Sequence, residues 1–406
     1  MQAHLDKGAT DVNDYIMQPP APSRLRLSQV SRLECGPMIT IKDVARQAGV
    51  SVATVSRVYS GRDPVSEHTR IRVWEVGTRL GYTPHGAAQS LITNRTNTIG
   101  VLLPDLYGEF FSEVIRGIDQ TARRQGYHVL VSGAHQEPAA MAAALRAMRG
   151  RVDGMIIMSP DAAANRHLAS LPTRFPTVLL NSADAGRHAG TITVANYDGA
   201  HAVVTHLIAL GHRRIATLKG STGNLDAAER LRGYHAALAD AGIPPDPALE
   251  AEGDFDEHSG FAAAERLLAR EPRPTALFAA NDSMAIGALS ACRKAGLRVP
   301  DDIAVAGFDD IPIARYMDPP LTSVHVDISA LGERAARRLL EAMAHPEQVE
   351  RSDEVLPATL VVRASCGAPS GPGRDSQFRI DSLLKGAEPA VRVSGSVGQL
   401  NGEEAR

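Results

Sequence analysis

The sequence predicts a small all-α helix-turn-helix module followed by a larger α/β core of two similar lobes on parallel sheets. Three observations carry this. Residues 39–82 hold helix caps and turn glycines in the order that three short helices need. Between Thr98 and Ser365, short apolar runs alternate with amphipathic stretches, and the alternation runs twice. The charge is divided between the two regions.

The 406 residues are 44% hydrophobic and 22% charged, the balance of an ordinary globular chain of two or three domains. Collagen, a disulfide scaffold and disorder throughout are excluded. No apolar run approaches the roughly 18 residues of a membrane span. Asp6, Asp11 and Asp14 stand where a secretory signal would be apolar. Cys35, Cys292 and Cys366 are odd in number, widely spaced and without metal-ligand spacing, as a reducing cytosol allows. The net charge of −3 hides a contrast. Residues 38–95 carry eight bases and four acids, so the remaining core and tail are acidic. The basic end is where a polyanion would bind.

Residues 1–37, with Pro19, Pro20 and Pro22, read as a disordered extension. Met38 is either the natural start or the end of that arm. Thr40 with Asp43 forms a capping-box start for a helix over Ile41–Ala48, with Val44, Ala45 and Ala48 on one face. Gly49 supplies the turn. Ser51 caps a second helix, Val52–Ser60, with Val55 and Val58 inward, and Gly61 ends it. Ser66 caps a third that runs to about Leu80, closed by Gly81. Two short helices about a glycine turn, with a third behind, make a helix-turn-helix.

In the core, strands are expected at Ile99–Leu103, His128–Ser132, Gly154–Met158 and Thr177–Leu180. The series restarts with Arg214–Leu218, Thr275–Ala279 and Ile303–Gly307. Helices are expected at Glu109–Gln125, Pro138–Arg149, Glu229–Ala241 and Ser283–Ala295. This rhythm means parallel sheets covered by helices, with ligands beyond the C-terminal strand ends. The chain after Gly367 reads as a disordered tail.

The second helix would enter the major groove of DNA. Arg57 can bond guanine bidentately, and Val52 or Ala53 can meet a thymine methyl. Thr54, Ser56, Arg62, Thr69 and Arg70 suit phosphate contacts, and Thr40 and Ser51 at the helix starts join this surface. A generic helical bundle with solvated arginines is the plainer alternative, and the order of caps, turn and charge weighs against it.

Residues 39–58, Ile-Thr-Ile-Lys-Asp-Val-Ala-Arg-Gln-Ala-Gly-Val-Ser-Val-Ala-Thr-Val-Ser-Arg-Val, resemble the headpiece of the lactose-repressor/galactose-repressor (LacI/GalR) transcription factors. The likeness continues through Val65-Ser66, Thr69-Arg70, Leu80-Gly81-Tyr82 and Pro84, and on to about Ser365. Val52-Ala53 with Arg57 is most like the galactose-repressor side. The resemblance implies a DNA-binding domain over 38–83 and a hinge helix within 84–97. It also implies a periplasmic-binding-protein-like effector and dimerisation domain over 98–366. The first lobe would be 98–195 with 326–353, the second 196–325 with 354–366. It makes Leu91 the apolar wedge of the operator's central step. His85 stands where Asn is common, and Gln89 where Arg is common, which predicts altered hinge contacts.

For the effector, Phe110 and Phe111 follow the first strand and offer aromatic faces to a sugar or base, or else pack at the helix start. Asn181 ends a strand and can bond a hydroxyl. Asp226 and Arg230 lie in 225–234, and the resemblance makes Arg230 the effector-contacting arginine. It likewise implies roles for the stacking Phe255 and for Asn281 and Asp309. Asp282 is expected to cap the following helix. No phosphate-loop, dinucleotide, nucleophile-elbow or zinc-protease motif is present, so an enzyme is not expected. A transport solute-binding protein would not need the basic module. A sequence-tolerant DNA binder would not need the pocketed core.

The reading is thus a cytoplasmic, homodimeric repressor without a cofactor. Each protomer would read half of a palindromic operator, and a small sugar-like effector would release it from carbohydrate-utilisation genes. The alternative is a corepressor-dependent repressor responding to a nucleoside or another metabolite.

Overall fold

The computed structural model describes residues 39–61, 64–83, 95–134, 138–161, 168, 175–182, 190–348, 353–368 and 376–378. The chain divides into two compact units, 1–89 and 90–406, each described by itself.

Among the described residues, the first unit is three helices, α1 (Ile41–Ala48), α2 (Val52–Ser60) and α3 (Glu67–Leu80). Local chemistry sets their ends. The Asp43 carboxylate accepts from Thr40 N at 3.0 Å and from Thr40 Oγ1 at 2.7 Å. Ser51 Oγ accepts from Thr54 N at 3.1 Å, and Ser66 Oγ accepts from Thr69 N at 3.4 Å. Gly49 closes α1 at φ 63°, a left-handed conformation that strains a side-chain-bearing residue. Val44, Ala45, Ala48, Val55, Val58, Val73 and Val76 form the core. Tyr59 packs over it, its ring 4.8 Å from Trp74 and 5.4 Å from Tyr82. Gly77 admits that ring, since a Cβ there would lie 1.9 Å from the Tyr59 hydroxyl.

The second unit holds two sheets. The first contains β1 (Thr98–Leu103), β2 (His128–Gly133), β3 (Gly154–Met158), β4 (Thr177–Leu180), β5 (Thr191–Val194) and β11 (Glu354–Leu356). Its order is β11-β5-β4-β3-β1-β2, all parallel. Helices cover both faces, so the inner strands β3 and β4 are buried at every position. On β3, Ile156 and Met158 join the core with Val114, Ile118 and Leu339. The alternate Met155 and Ile157 meet Met141, Leu145 and Met148. These helices are α4 (Glu109–Arg124), α5 (Pro138–Met148) and α10 (Ile328–Ala344).

The second sheet contains β6 (Ile215–Lys219), β7 (Glu250–Glu252), β8 (Ala276–Ala279), β9 (Ala304–Asp309), β10 (Thr322–His325), β12 (Thr359–Val362) and β13 (Ser376–Phe378). Its order is β13-β12-β10-β9-β8-β6-β7. Five strands run parallel, β12 runs antiparallel to β10 and β13 antiparallel to β12, so this sheet is mixed. Helices α6 (Asn196–Ala209), α7 (Leu225–Asp240), α8 (Glu257–Leu268) and α9 (Asp282–Lys294) pack on it.

Several expectations shift. Glu354–Leu356 extends the first sheet beside β5, so the last crossing into the second lobe follows residue 356. Ser376–Phe378, within the tail expected to be disordered, pairs with the open edge of β12. Helix α7 starts at Leu225, four residues before its expected start, because Asn224 caps it. Elements β5, α6, β7, α8, β10, α10, β11 and β12 had not been placed.

The chain passes between lobes at 194–196, 325–328 and 356–359. Ala195 N donates to Leu356 O at 2.9 Å, joining the first crossing to the third. Opposite, the lobes meet through Leu225 N to Pro160 O at 2.9 Å and Ile313 N to Glu109 Oε2 at 2.9 Å. Among the described residues, no helix is long and apolar enough to cross a membrane.

In the first lobe, α4 and α10 touch through glycines. A Cβ on Gly117 would sit 2.0 Å from Ser329 O, and one on Gly332 would sit 2.2 Å from Val114 O. Gly117→Val should therefore separate the helices and destabilise the core by about 1–3 kcal/mol. Urea denaturation measures this, and an unchanged midpoint would contradict the packing.

Candidate functional site

Two surfaces carry the candidate residues. On α2, Val52, Ala53 and Arg57 are exposed, Thr54 and Ser56 half-buried, and Val55 and Val58 buried. The helical period thus turns Val52, Ala53, Ser56 and Arg57 to solvent. Several expected phosphate contacts already serve the caps. Thr54 Oγ1 lies 2.9 Å from Ser51 Oγ, and Thr69 Oγ1 accepts from Ser66 Oγ at 2.9 Å. Thr40 holds Asp43, and Arg70 pairs with Glu67 at 2.9 Å. These bonds fix the helix starts that a phosphate would approach. Arg62, His85, Gln89 and Leu91 lie outside the described residues.

The second surface is a cleft of about 460 Å³ between the lobes of the larger unit. All eight effector candidates line it: Phe110, Phe111, Asn181, Asp226, Arg230, Phe255, Asn281 and Asp309. They come from the C-terminal ends of β4, β7, β8 and β9 and from the starts of α4 and α7. Phe110 and Phe111 meet edge to face, ring centres 5.5 Å apart, and remain partly exposed to the cleft. Phe255 takes φ 63°, which lays its ring against Gly220, where a Cβ would fall 2.1 Å from Phe255 Cζ.

Arg230 organises the second-lobe wall. Its Nη2 stands 3.1 Å from Asp309 Oδ1. Nε donates to Asn196 Oδ1 at 2.8 Å, and Nη1 donates to Ala280 O. Its Cζ lies 3.8 Å from the Phe308 ring centre. Asn196 Nδ2 in turn donates to Asp226 Oδ1 at 2.8 Å. Asn196 therefore joins the acid and the base of the cleft, and it sits at the first crossing. Sequence reasoning missed it, because neither β5 nor α6, which meet at this position, carries a clear apolar pattern.

Burial pushes the Asp226 carboxyl above its ordinary value, against Arg230, Asn196 and Asn181. Burial likewise raises Asp309 to about 6, with Arg230 opposing and Asp226 adding to the rise. Asn181 Oδ1 and Ser159 Oγ are buried at the first-lobe wall without a hydrogen-bond partner among the described residues. An effector with donors would satisfy both.

Asn281 is the cap of α9, its Oδ1 accepting from Met284 N at 3.0 Å and its Nδ2 donating to Phe255 O at 2.9 Å. The cap expected of Asp282 therefore belongs to its neighbour. Asp282 instead turns inward, fully buried, and accepts from Ser323 Oγ at 2.6 Å and Ile311 N at 2.9 Å. Gly307 makes room for it, since a Cβ there would lie 2.1 Å from Asp282 Oδ1. The adjacent Asp309 and Asp310 diverge. Asp310 faces Arg363 at 2.7 Å and His325 at 3.0 Å, away from the Arg230 pair. Among the described residues, no cluster of His, Cys, Asp and Glu could hold a metal ion.

A helix-turn-helix unit joined to a two-lobed α/β unit with a polar cleft defines a ligand-responsive DNA-binding regulator. Residues 40–85 match the lacI family of bacterial regulatory proteins, and residues 204–366 match a periplasmic binding protein-like domain. The chain is 34% identical over 330 residues to the HTH-type transcriptional repressor PurR of Mannheimia succiniciproducens, covering 81% of this chain and 98% of that one. The Lac repressor dimer bound to operator and the anti-inducer ONPF superposes with a TM-score of 0.73 at 34% identity, covering 81% and 99%. A transcriptional regulator CelR–cellobiose complex gives 0.60 at 32% identity, covering 80% and 99%. The chain belongs to the lacI family, and it is a DNA-binding transcriptional repressor.

Asp309 makes the cleft pH-sensitive. Its folded pKa of about 6 exceeds the ordinary 3.8, so the folded chain holds this proton more tightly than the unfolded chain. The resulting stabilisation is full below pH about 4 and fades as the pH rises to about 6. The stability of the native chain relative to Asp309→Asn should therefore fall across that window and stay level above it. Denaturation curves of both proteins from pH 4 to 8 decide this, and a constant difference would refute it.

Proposed function

We propose that the protein is a cytoplasmic, homodimeric repressor of carbohydrate-utilisation genes, released from a palindromic operator by a small carbohydrate. The observation that carries this reading is the convergence of all eight candidate residues on one interlobe cleft. Aromatic faces for C–H surfaces, with carboxylates and amides for hydroxyls, suit a sugar. The solved relative with cellobiose and the Lac repressor dimer on its operator support it. Two-fold protein symmetry requires two-fold operator symmetry, with one half-site per α2. The hinge residues His85, Gln89 and Leu91 would complete the contact at the operator centre. No cofactor is needed.

The relatives named PurR, together with three phenylalanines that could stack on a base, favour a second reading: corepression by a nucleoside. The two readings differ in sign. Effector and operator binding are reciprocally coupled, typically by about 1–3 kcal/mol. Induction weakens operator binding when the cleft fills, and corepression strengthens it.

Selection of genomic fragments by the full chain at physiological salt should recover a palindrome beside sugar-catabolic or transport genes. No enriched site without an added metabolite would favour the corepressor. On the recovered operator, Arg57→Ala should lose about 1–3 kcal/mol per half-site, with less change on random DNA. An equal loss on both would reduce Arg57 to a phosphate contact.

A further inference from the structure

The charge of the cleft narrows its ligand further. Among the described residues, eight carboxylate side chains line it, against one guanidinium, that of Arg230, and one imidazole, that of His258. The guanidinium is already committed to Asp309, Asn196 and Ala280 O, and it is stacked on Phe308. An anion would have to draw it from Asp309 while sitting among carboxylates.

Helix ends would ordinarily work the other way. Among the described residues, four helices start at this cleft, and free helix N-termini attract anions. Here the chain supplies its own acceptors. Asn224 Oδ1 takes Ala227 N at 3.0 Å on α7, and Asp256 Oδ1 takes Ser259 N at 2.6 Å on α8. Asn281 Oδ1 takes Met284 N on α9, and Glu109 places a carboxylate in the first turn of α4. All four of these side chains also line the cleft. At three of the four starts a protein oxygen already holds one of the N–H groups that a phosphate would seek, and at the fourth a carboxylate stands in the first turn. Among the described residues the buried amide oxygen Asn181 Oδ1 has no donor, and Ser159 Oγ beside it is also unpartnered.

We propose that the effector carries no phosphate or carboxylate group and is a donor-rich neutral or amine-bearing carbohydrate, selected against its own phosphorylated or oxidised forms. This rests on reading the cleft as the effector site. A cleft lined by one sign of charge focuses its potential, so the selection acts on encounter as well as on the bound state. Buried oxygens gain hydrogen bonds from hydroxyls or an ammonium, whereas an anion brings acceptors to acceptors.

The test uses the full chain labelled with methyl-¹³C methionine, because Met141 and Met158 line the cleft. Inorganic phosphate and D-gluconate are titrated at constant ionic strength, beside a panel of neutral sugars, amino sugars, their phosphate esters and nucleosides. Phosphate and gluconate should leave both methyl signals in place. A sugar that shifts them saturably should bind at least about tenfold tighter than its phosphate ester. Saturable shifts with phosphate or gluconate, or an ester that binds as well as its parent, would overturn the charge selection and leave the carbohydrate reading standing. Saturable binding of nucleosides alone would overturn the carbohydrate reading and leave the charge selection intact.

Discussion

Arg230 and Asp309 face each other at 3.1 Å, each only 4% exposed, and the cleft is built around that contact. Burying two charges is costly, and their attraction offsets the cost only when further bonds satisfy them. Those bonds are present on the arginine side, while burial keeps the Asp309 carboxyl above its ordinary range. Arg230 reaches the carbonyl at the end of β8, the asparagine at the first crossing and the ring of Phe308. One side chain thus binds the ends of β8 and β9 and the start of α6 into a single wall. Removing either charge would strand the other, a loss of about 3–5 kcal/mol in comparable buried pairs.

The same contact shows how occupancy could reach the rest of the molecule. Asn196 bonds Arg230 and Asp226, and its neighbour Ala195 bonds Leu356 across the first and third crossings. Val326 N, at the second crossing, donates to Asp309 O at 3.3 Å. Each crossing is therefore within one or two hydrogen bonds of the cleft. Rigid lobes joined by a few short segments change by rotating as bodies, because close-packed interiors do not deform smoothly. A ligand that alters these bonds biases the angle between lobes rather than the lobes themselves.

Legibility varied with the range of the signal. All three helices of the first unit were readable nearly to the residue, since Ser51, Ser66 and Gly49 act within a turn of chain. Strands β3 and β4 were readable because burial on both faces makes them continuously apolar. Helix α6 was not. Seven of its residues are buried, among them Asn196, Gly199 and Ala200, so it lacks the apolar stripe of a surface helix. Strand β10, Thr-Ser-Val-His, hides its polar side chains against partners distant in sequence. Ser323, for example, bonds Asp282, 41 residues away.

The sequence by itself determined the module order, the solvent-facing side of α2 and the eight residues of the cleft, because caps, periodicity and the family motif are local or linear. Tertiary structure alone decided how those residues are used. Asn281 rather than Asp282 caps α9, because Asp282 finds Ser323 and Ile311 in the interior. Asp309 and Asp310 part company, because Arg230 and Arg363 approach from different elements. Asn196 gains its place only when α6 and α7 pack together. Partners such as these lie 29 to 79 positions apart along the chain, so only folding brings them within hydrogen-bond reach.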